Sequence, residues 1–190
     1  MRNVRDIAHR LVERLRDVGT RALFGVPGGG GNLDLIEAAR GIGMPFVLTS
    51  TETAGAIAAL AQAEVTGRPG ACLTTLGPGA ASVVNGVACA YLDRAPVIVF
   101  TDSNPAGANG MFAHQQIDQL ALFKPITKWS GRLTNADAAA VIDRAFCEVM
   151  GLPPGPVHVD CPGTELFSTD PGAVGTGVAE PGPATPVPRR

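Results

Sequence analysis

Apolar residues recur along this chain in two alternating patterns, one helical and one extended. In residues 3–18 they are spaced three or four apart, which predicts a helix with a single apolar stripe. These stripe residues are Val4, Ile7, Leu11, Leu15 and Val18. From residue 21 onward, short and nearly continuous apolar runs alternate with further helical stretches.

Six short apolar runs are bounded by glycine, proline or polar turns, which is typical of buried strands. They lie at residues 21–25, 45–48, 70–75, 95–102, 126–130 and 155–162. Helical patterns separate them at residues 33–40, 52–67, 80–93 and 135–150, with Asn135 or Thr134 as the expected cap of the last one. A short helix is also expected before residue 126.

Alternating strands and helices predict an α/β fold, a three-layer α/β/α arrangement around a doubly wound, mainly parallel sheet of about six strands. In such sheets, ligands bind beyond the carboxyl ends of the strands. From Ser168 onward, proline and glycine replace the apolar period. We therefore expect one domain over residues 1–167 and a linker or tail over residues 168–190.

The net charge of −2 and pI near 5.9 give no basic surface for nucleic acid or an anionic membrane. Charges throughout the first 17 residues leave no signal-peptide core, so the expected location is the cytoplasm. The four cysteines form no CxxC pair, and the three histidines are scattered. We expect buried free thiols and no metal site in this chain.

Residues 52–96 carry a more specific series of landmarks. A glutamate opens an alanine-rich helix, and TG-x-PG, a strand ending in threonine, a GPG bend, a second helix and A-x-x-D-x-x-P follow. These landmarks are Glu52, Thr66-Gly67, Pro69-Gly70, Thr75, Gly77-Pro78-Gly79, Ala90, Asp93 and Pro96. "FGVPGG" at residues 24–29, "QQIDQ" at residues 115–119 and "PITK" at residues 125–128 flank them.

Over residues 4–166 this series resembles the N-terminal pyrimidine-binding (PYR) domain of the acetolactate synthase-like, 2-oxo acid decarboxylase family of thiamine-diphosphate enzymes. The resemblance implies that Glu52 is the catalytic acid. A carboxylate bonded to N1′ of the aminopyrimidine favours the imino form, whose N4′ removes the C2 proton. Without the flanking landmarks, a first-turn acid favoured by the helix dipole would be the preferred interpretation of Glu52.

The resemblance also assigns other residues to the site. Val26, Glu52, Pro78, Ser82 and Gln115 match positions that line the cofactor pocket. Turn and helix-start packing is the alternative interpretation of the four besides Glu52.

For the substrate, the corresponding positions are Gly28, Gly29, His114 and Gln115, and His114 could also be an ordinary loop histidine. The glycines at residues 28–31 do not form GxGxxG or a Walker motif, so a phosphate cradle is not predicted. A tight turn with close backbone approach to substrate is the expectation there.

Three positions depart from the family pattern. Thr51 stands where many members have histidine, Ser82 where asparagine is common, and His114 where acetolactate synthases have a phenylalanine against pyruvate. An imidazole at that place can exchange protons or bind a carboxylate near neutral pH. These departures indicate a different 2-oxo acid or acyl donor.

In this family Mg²⁺ and the diphosphate are held by a second domain with GDG followed by NN, and GDG does not occur here. We therefore expect the isolated chain to be inactive and to require a diphosphate-binding domain or subunit. The chain is then either a piece of a longer enzyme or the PYR subunit of a two-subunit sulfopyruvate- or phosphonopyruvate-type decarboxylase. A homodimer or higher oligomer is also expected.

Two other classes of function remain to be compared. A non-catalytic binding module could keep the fold, because fold alone does not determine function, but such a module would not need Glu52. A dinucleotide-binding Rossmann protein would need a GxGxxG turn, which is missing.

Overall fold

The computed structural model describes residues 5–104 and 115–162, and all structural statements below concern that part of the chain. The predicted substrate residue His114 and the predicted tail at residues 168–190 lie outside it. The elements in chain order are α1 (Arg5–Asp17), β1 (Leu23–Val26), α2 (Gly31–Gly41), β2 (Phe46–Leu48), α3 (Glu52–Thr66), β3 (Gly70–Thr74), α4 (Pro78–Leu92), β4 (Val97–Ser103), α5 (Gln119–Phe123), a 3-10 turn (Lys124–Ile126), β5 (Trp129–Arg132), α6 (Ala138–Met150) and β6 (Val157–Pro162).

The described strands form one six-stranded sheet in the order β2-β1-β3-β4-β6-β5, with every neighbouring pair parallel. The predicted three-layer α/β/α class is confirmed. Strand β2, which follows β1 in the chain, pairs with β1 on one side, whereas β3 pairs with β1 on the other side. The strand order therefore reverses between β1 and β3, where Val26 is in register with Thr74.

The two faces of the sheet carry separate apolar cores. Leu73, Ile98 and Phe100 point to the face covered by α1, α2 and α6. Their neighbours Cys72 and Val99 point to the face covered by α3, α4 and the end of α5. Because successive strand residues alternate between faces, strands buried on both sides read as continuous apolar runs.

Helix α3 lies unusually close to the sheet. A Cβ on Gly70 would come 1.9 Å from the Ala59 carbonyl oxygen, and one on Gly55 would come 2.9 Å from the Gly25 Cα. Only glycine fits at these contacts. Gly55 thus packs directly on Gly25 of β1.

Two expectations from the sequence are corrected, one about the N-cap of α6 and one about the burial of the cysteines. Helix α6 begins at Ala138 with Asp137 as its N-cap, not with Asn135 or Thr134. The Asp137 carboxylate accepts hydrogen bonds from the Thr134 N–H (3.1 Å) and hydroxyl (2.6 Å). This bonding holds residues 134–137 in a separate turn before the helix.

The cysteines are free, as expected, but they are not all buried. Cys72 and Cys161 are buried in strands, Cys89 is partly buried, and Cys147 is exposed on the outer side of α6. Position 147 falls between the buried residues Phe146 and Val149, outside the apolar stripe of that helix. Within the described residues, no helix is both long and apolar enough to cross a membrane.

Candidate functional site

Three segments meet where the strand order reverses, at the carboxyl ends of β1 and β3. They are the turn after β1 (residues 26–30), the start of α3, and the bend Gly77-Pro78-Gly79 that leads into α4. Crevices at such reversal points are the usual ligand sites of open parallel sheets. The predicted site residues within the described part of the chain fall on these segments, on α4 (Ser82) and at the nearby Gln115.

Glu52 is the first residue of α3, and its position is held by the preceding cap. Thr51 is extended (φ −147°, ψ 159°), and its hydroxyl oxygen accepts a hydrogen bond from the Ala54 N–H at 3.1 Å. Threonine thus satisfies one of the free amides of the first turn at the position where a histidine was expected from the family pattern. The Glu52 side chain is partly buried rather than enclosed.

Glu52 and Ser82 are in direct contact across α3 and α4. The Ser82 hydroxyl donates a hydrogen bond to Glu52 Oε2 at 2.9 Å. The Thr53 hydroxyl donates in turn to the Ser82 carbonyl oxygen at 2.6 Å. A Cβ on Gly86 would come 2.5 Å from the Ala56 Cβ, so the two helices are in close contact. This contact fixes the distance between the carboxylate and the start of α4.

The bend before α4 packs closely against the end of β3. Gly77 has φ 59° and ψ −109°, and Pro78 is the first helical residue. At Gly79, a Cβ would come 2.5 Å from Thr75 Cγ2, 2.7 Å from the Thr74 hydroxyl oxygen and 3.5 Å from Glu52 Oε1. The Thr74 hydroxyl is buried and has no hydrogen-bond partner among the described residues. Gly79 is therefore needed for the close contact of this bend with Thr74 and Thr75, and Glu52 Oε1 lies near the same contact.

The turn after β1 lies against the same place. A Cβ on Gly28 would come 2.2 Å from the Thr75 hydroxyl oxygen, whereas one on Gly29 would meet nothing within 4 Å. Val26 is partly buried and pairs with Thr74. Gly28 thus allows the turn to approach β3 closely, and Gly29 lies beside open space.

Gln115 reaches the bend through its backbone. It has a positive φ of 54°, and its carbonyl oxygen would lie 2.0 Å from a Cβ on Gly77. Its side chain is exposed. The structure therefore brings Glu52, Ser82, Pro78 and the backbone of Gln115 to one bend, with Val26 and Gly28 on the neighbouring strand and turn.

A second polar cluster lies on the opposite face of the sheet, at the start of α2. The Asn32 amide donates to the Thr74 carbonyl oxygen at 3.0 Å and to Asp102 Oδ2 at 2.9 Å. Burial raises the pKa of Asp102 to about 7, opposed by hydrogen bonds from Asn32 and from the backbone of Gly31 and Asn32. The Asp102 carboxylate therefore interacts with the backbone amides at the start of α2, which are the amides that a bound phosphate would contact.

Sequence reasoning missed several polar residues around this site. Thr74, Asn32 and Asp102 stand at strand and helix ends with nothing unusual in their local pattern. Gln119 is the last residue of the "QQIDQ" segment, but its contacts depend on three distant segments of the chain. Among residues 5–104 and 115–162, no group of three or more His, Cys, Asp or Glu side chains is arranged to hold a metal ion.

Comparisons with known proteins agree with the geometry. The family model described as thiamine pyrophosphate enzyme, N-terminal TPP binding domain, matches residues 5–122. The chain is 38% identical over 156 residues to a probable acetolactate synthase large subunit of Methanocaldococcus jannaschii, which covers 82% of the chain and 26% of that protein. It is 34% identical over 157 residues to the acetolactate synthase isozyme 3 large subunit of Escherichia coli, covering 82% of the chain and 27% of that protein.

The match to the family model extends over more than half of the chain, so this chain belongs to the family of N-terminal thiamine pyrophosphate-binding domains of thiamine pyrophosphate enzymes. The resemblance found in the sequence is confirmed. The chain spans between 26% and 29% of the length of these relatives and of the acetolactate synthase large subunit of Parasynechococcus marenigrum, which is 36% identical over 177 residues.

Proposed function

We propose that this chain supplies the pyrimidine-binding half of a thiamine-diphosphate enzyme acting on 2-oxo acids, and that Glu52 activates the cofactor. The observation that carries the proposal is the position of the Glu52 carboxylate. It lies at the reversal point of the sheet, hydrogen-bonded to Ser82 and with Oε1 near Gly79 of the bend.

The residues present fit the pyrimidine end of the cofactor. The ring needs a polar atom at its edge and a wall with little side-chain bulk, which the partly buried Glu52 carboxylate and the bend Gly77-Pro78-Gly79 would provide. When bound, thiamine diphosphate supplies an electron sink at C2 of its thiazolium ring. Mg²⁺ needs several oxygen ligands, including those of the diphosphate, and we assign both groups to a separate diphosphate-binding domain or subunit.

Each oxygen of Glu52 has a distinct role in this proposal. Oε2 accepts the hydrogen bond from Ser82 at 2.9 Å, which fixes the side-chain rotamer. Oε1 is the oxygen nearer Gly79, and it would hold a proton at N1′ of the pyrimidine. The hydrogen bond gains strength when the partner domain covers the partly buried carboxylate, because water is then excluded.

The remaining predicted residues form the surroundings of these groups. Val26, Pro78 and Gln115 would line the cofactor, and Gly28, Gly29, Gln115 and His114 would face the substrate.

The relatives are named as acetolactate synthases, which supports C–C bond cleavage or ligation of 2-oxo acids as the reaction class. Histidine in place of phenylalanine at position 114 favours an acyl donor other than that of acetolactate synthesis. The partner domain is proposed to lie on the same polypeptide or on a separate decarboxylase-type subunit.

The proposal is tested by Glu52→Gln in the complete assembly that contains the diphosphate-binding domain. The rate of C2–H/D exchange of bound cofactor, followed by NMR after acid quenching, should fall by at least about 100-fold, because the amide cannot hold the proton at N1′. Glu64→Gln is the matched control, since Glu64 lies on the same helix and is exposed. Its exchange rate should equal that of the wild type.

Unchanged exchange in Glu52→Gln would contradict the catalytic proposal and favour a non-catalytic binding module. Loss of exchange in both variants would point to general damage of α3. Cofactor affinity measured by calorimetry separates loss of binding from loss of proton exchange.

A further inference from the structure

Gln119 connects the bend at Gly77 to the body of the sheet. It is the first residue of α5 and is only 5% exposed. Its side-chain Oε1 accepts a hydrogen bond from the Gly77 N–H at 2.8 Å. Gly77 is the N-cap of α4 with a positive φ of 59°, so its amide lies just before the helix and just after β3. A side chain from a distant segment therefore satisfies this backbone group.

The other end of the Gln119 amide is bonded to two strands. Nε2 donates to Asp160 Oδ1 at 2.8 Å and to the Asp102 carbonyl oxygen at 2.9 Å, and it lies 3.2 Å from the Thr101 hydroxyl oxygen. These partners determine the orientation of the amide, because an N–H requires the oxygen and a carboxylate requires the NH₂. Arg132 donates to the other carboxylate oxygen of Asp160 at 2.7 Å and holds it in place.

A glutamine side chain meets the hydrogen-bonding requirements of this buried position. It presents one acceptor and two donors on a planar group, and here both kinds are used in a buried location. The backbone of the same segment also contacts the bend, since the Gln115 carbonyl oxygen would lie 2.0 Å from a Cβ on Gly77. Residues 115–119 thus contact the bend at Gly77 through both a backbone carbonyl and a side chain.

We infer that Gln119 is a positioning residue of the cofactor site. Through Gly77 it sets the start of α4, which carries Pro78, Gly79 and Ser82, and so it determines where these residues stand relative to Glu52. This inference rests on the proposed function. The inference adds to the proposed function a residue that touches neither cofactor nor substrate.

The test compares Gln119→Met with Gln62→Met in the complete assembly. Methionine keeps the length of the side chain and removes its hydrogen bonds. Gln62 is the matched control because its Oε1 also accepts a backbone N–H, that of Ala22 at 3.0 Å. That bond lies at the amino end of β1, at the opposite end of the sheet from the bend.

The first readout uses the assembly without cofactor. Amide hydrogen exchange should show Gly77 protected in the wild type, and its exchange should become at least about tenfold faster in Gln119→Met but not in Gln62→Met. An unprotected Gly77 amide in the wild type would overturn the inference without any variant.

The second readout is C2–H/D exchange at saturating thiamine diphosphate, below the melting temperature of every variant. Gln119→Met should slow it by about 10- to 100-fold, as expected for a misplacement of about 1 Å, while Gln62→Met should stay within about twofold of the wild type. Equal rates for Gln119→Met and wild type would refute the inference.

Should Gln119→Met fail to fold, Gln119→Asn serves instead. It keeps the amide but is one methylene too short to reach Gly77 and Asp160 together, so the same loss of Gly77 protection and slower exchange are expected, and wild-type values would again refute it. Glu52→Gln separates the two proposals. If it retains exchange, the proposed function fails, whereas if it loses exchange and both Gln119 variants behave as wild type, the positioning role alone fails.

Discussion

The buried carboxyl of Asp102 gives a sharp prediction about stability and pH. Asp102 ends the buried part of β4, is 4% exposed, and one of its oxygens, Oδ1, has no hydrogen-bond partner within the described residues. Burial raises its pKa from 3.8 to about 7. Asp102→Asn keeps the shape and an oxygen that can accept the Asn32 hydrogen bond, but it cannot ionise.

The sign follows from proton binding. Between pH 3.8 and about 7 the native state holds a proton on Asp102 that the unfolded state has lost. Stability therefore falls as pH rises through this window. The change amounts to at most about 4 kcal/mol at pH 8, because each pH unit corresponds to about 1.4 kcal/mol. We expect about 2 to 4 kcal/mol for this carboxyl, which lies near the carboxyl end of the central strand β4.

His158 acts in the opposite direction. It is buried between the hydroxyls of Ser130 (2.6 Å) and Thr101 (2.8 Å), and burial lowers its pKa from 6.5 to about 3. Its contribution to stability is present above pH 6.5 and is lost as pH falls toward 3. Between pH 4 and 6.5 the slopes of Asp102 and His158 should nearly cancel in the wild type. Of these two pH dependences of the unfolding free energy, only that of His158 remains in Asp102→Asn.

Urea unfolding from pH 4 to pH 8, followed by circular dichroism, measures this difference. The free energy of unfolding of Asp102→Asn relative to wild type should increase with pH across the range. Asp143→Asn is the control, because the Asp143 side chain is 71% exposed, and it should follow the wild-type curve. Parallel curves for Asp102→Asn and wild type would refute the burial argument.

Two predictions concern the candidate site itself. Ser82→Ala removes the hydrogen bond to Glu52, which is worth about 1 kcal/mol, so C2–H/D exchange in the complete assembly should slow about fivefold. Ser82→Asn should retain most of the exchange rate. Equal rates for Ser82→Ala and wild type would contradict this role of Ser82. Gly79→Ala places a methyl group 2.5 Å from Thr75 Cγ2 and 2.7 Å from the Thr74 hydroxyl, which must displace the bend beside Glu52. Calorimetry should therefore show weaker cofactor binding, and urea unfolding a loss of about 1 to 3 kcal/mol. Gly41→Ala, whose Cβ would meet nothing nearer than 3.9 Å, should change neither, and wild-type binding by Gly79→Ala would show that the ring lies elsewhere.

Local patterns in the sequence were sufficient for the architecture. Strands buried on both faces are continuous apolar runs, and the helices between them have their own period, so the parallel α/β class follows from residues that are near in sequence. The landmarks around Glu52 and the GPG bend likewise keep their order and spacing along the chain. Element ends were less determined, as the start of α6 at Ala138 illustrates.

What only the tertiary structure decided is which distant groups meet. The contact of Ser82 with Glu52 joins residues 30 positions apart, the bond from Gln119 to Gly77 joins residues 42 apart, and the bond from Asn32 to Asp102 joins residues 70 apart. No local period encodes such pairs, because each depends on how helices and strands pack across the sheet. Burial has the same origin: Cys147 and Cys161 are both in apolar stretches, yet only the fold places one outside and the other in the core.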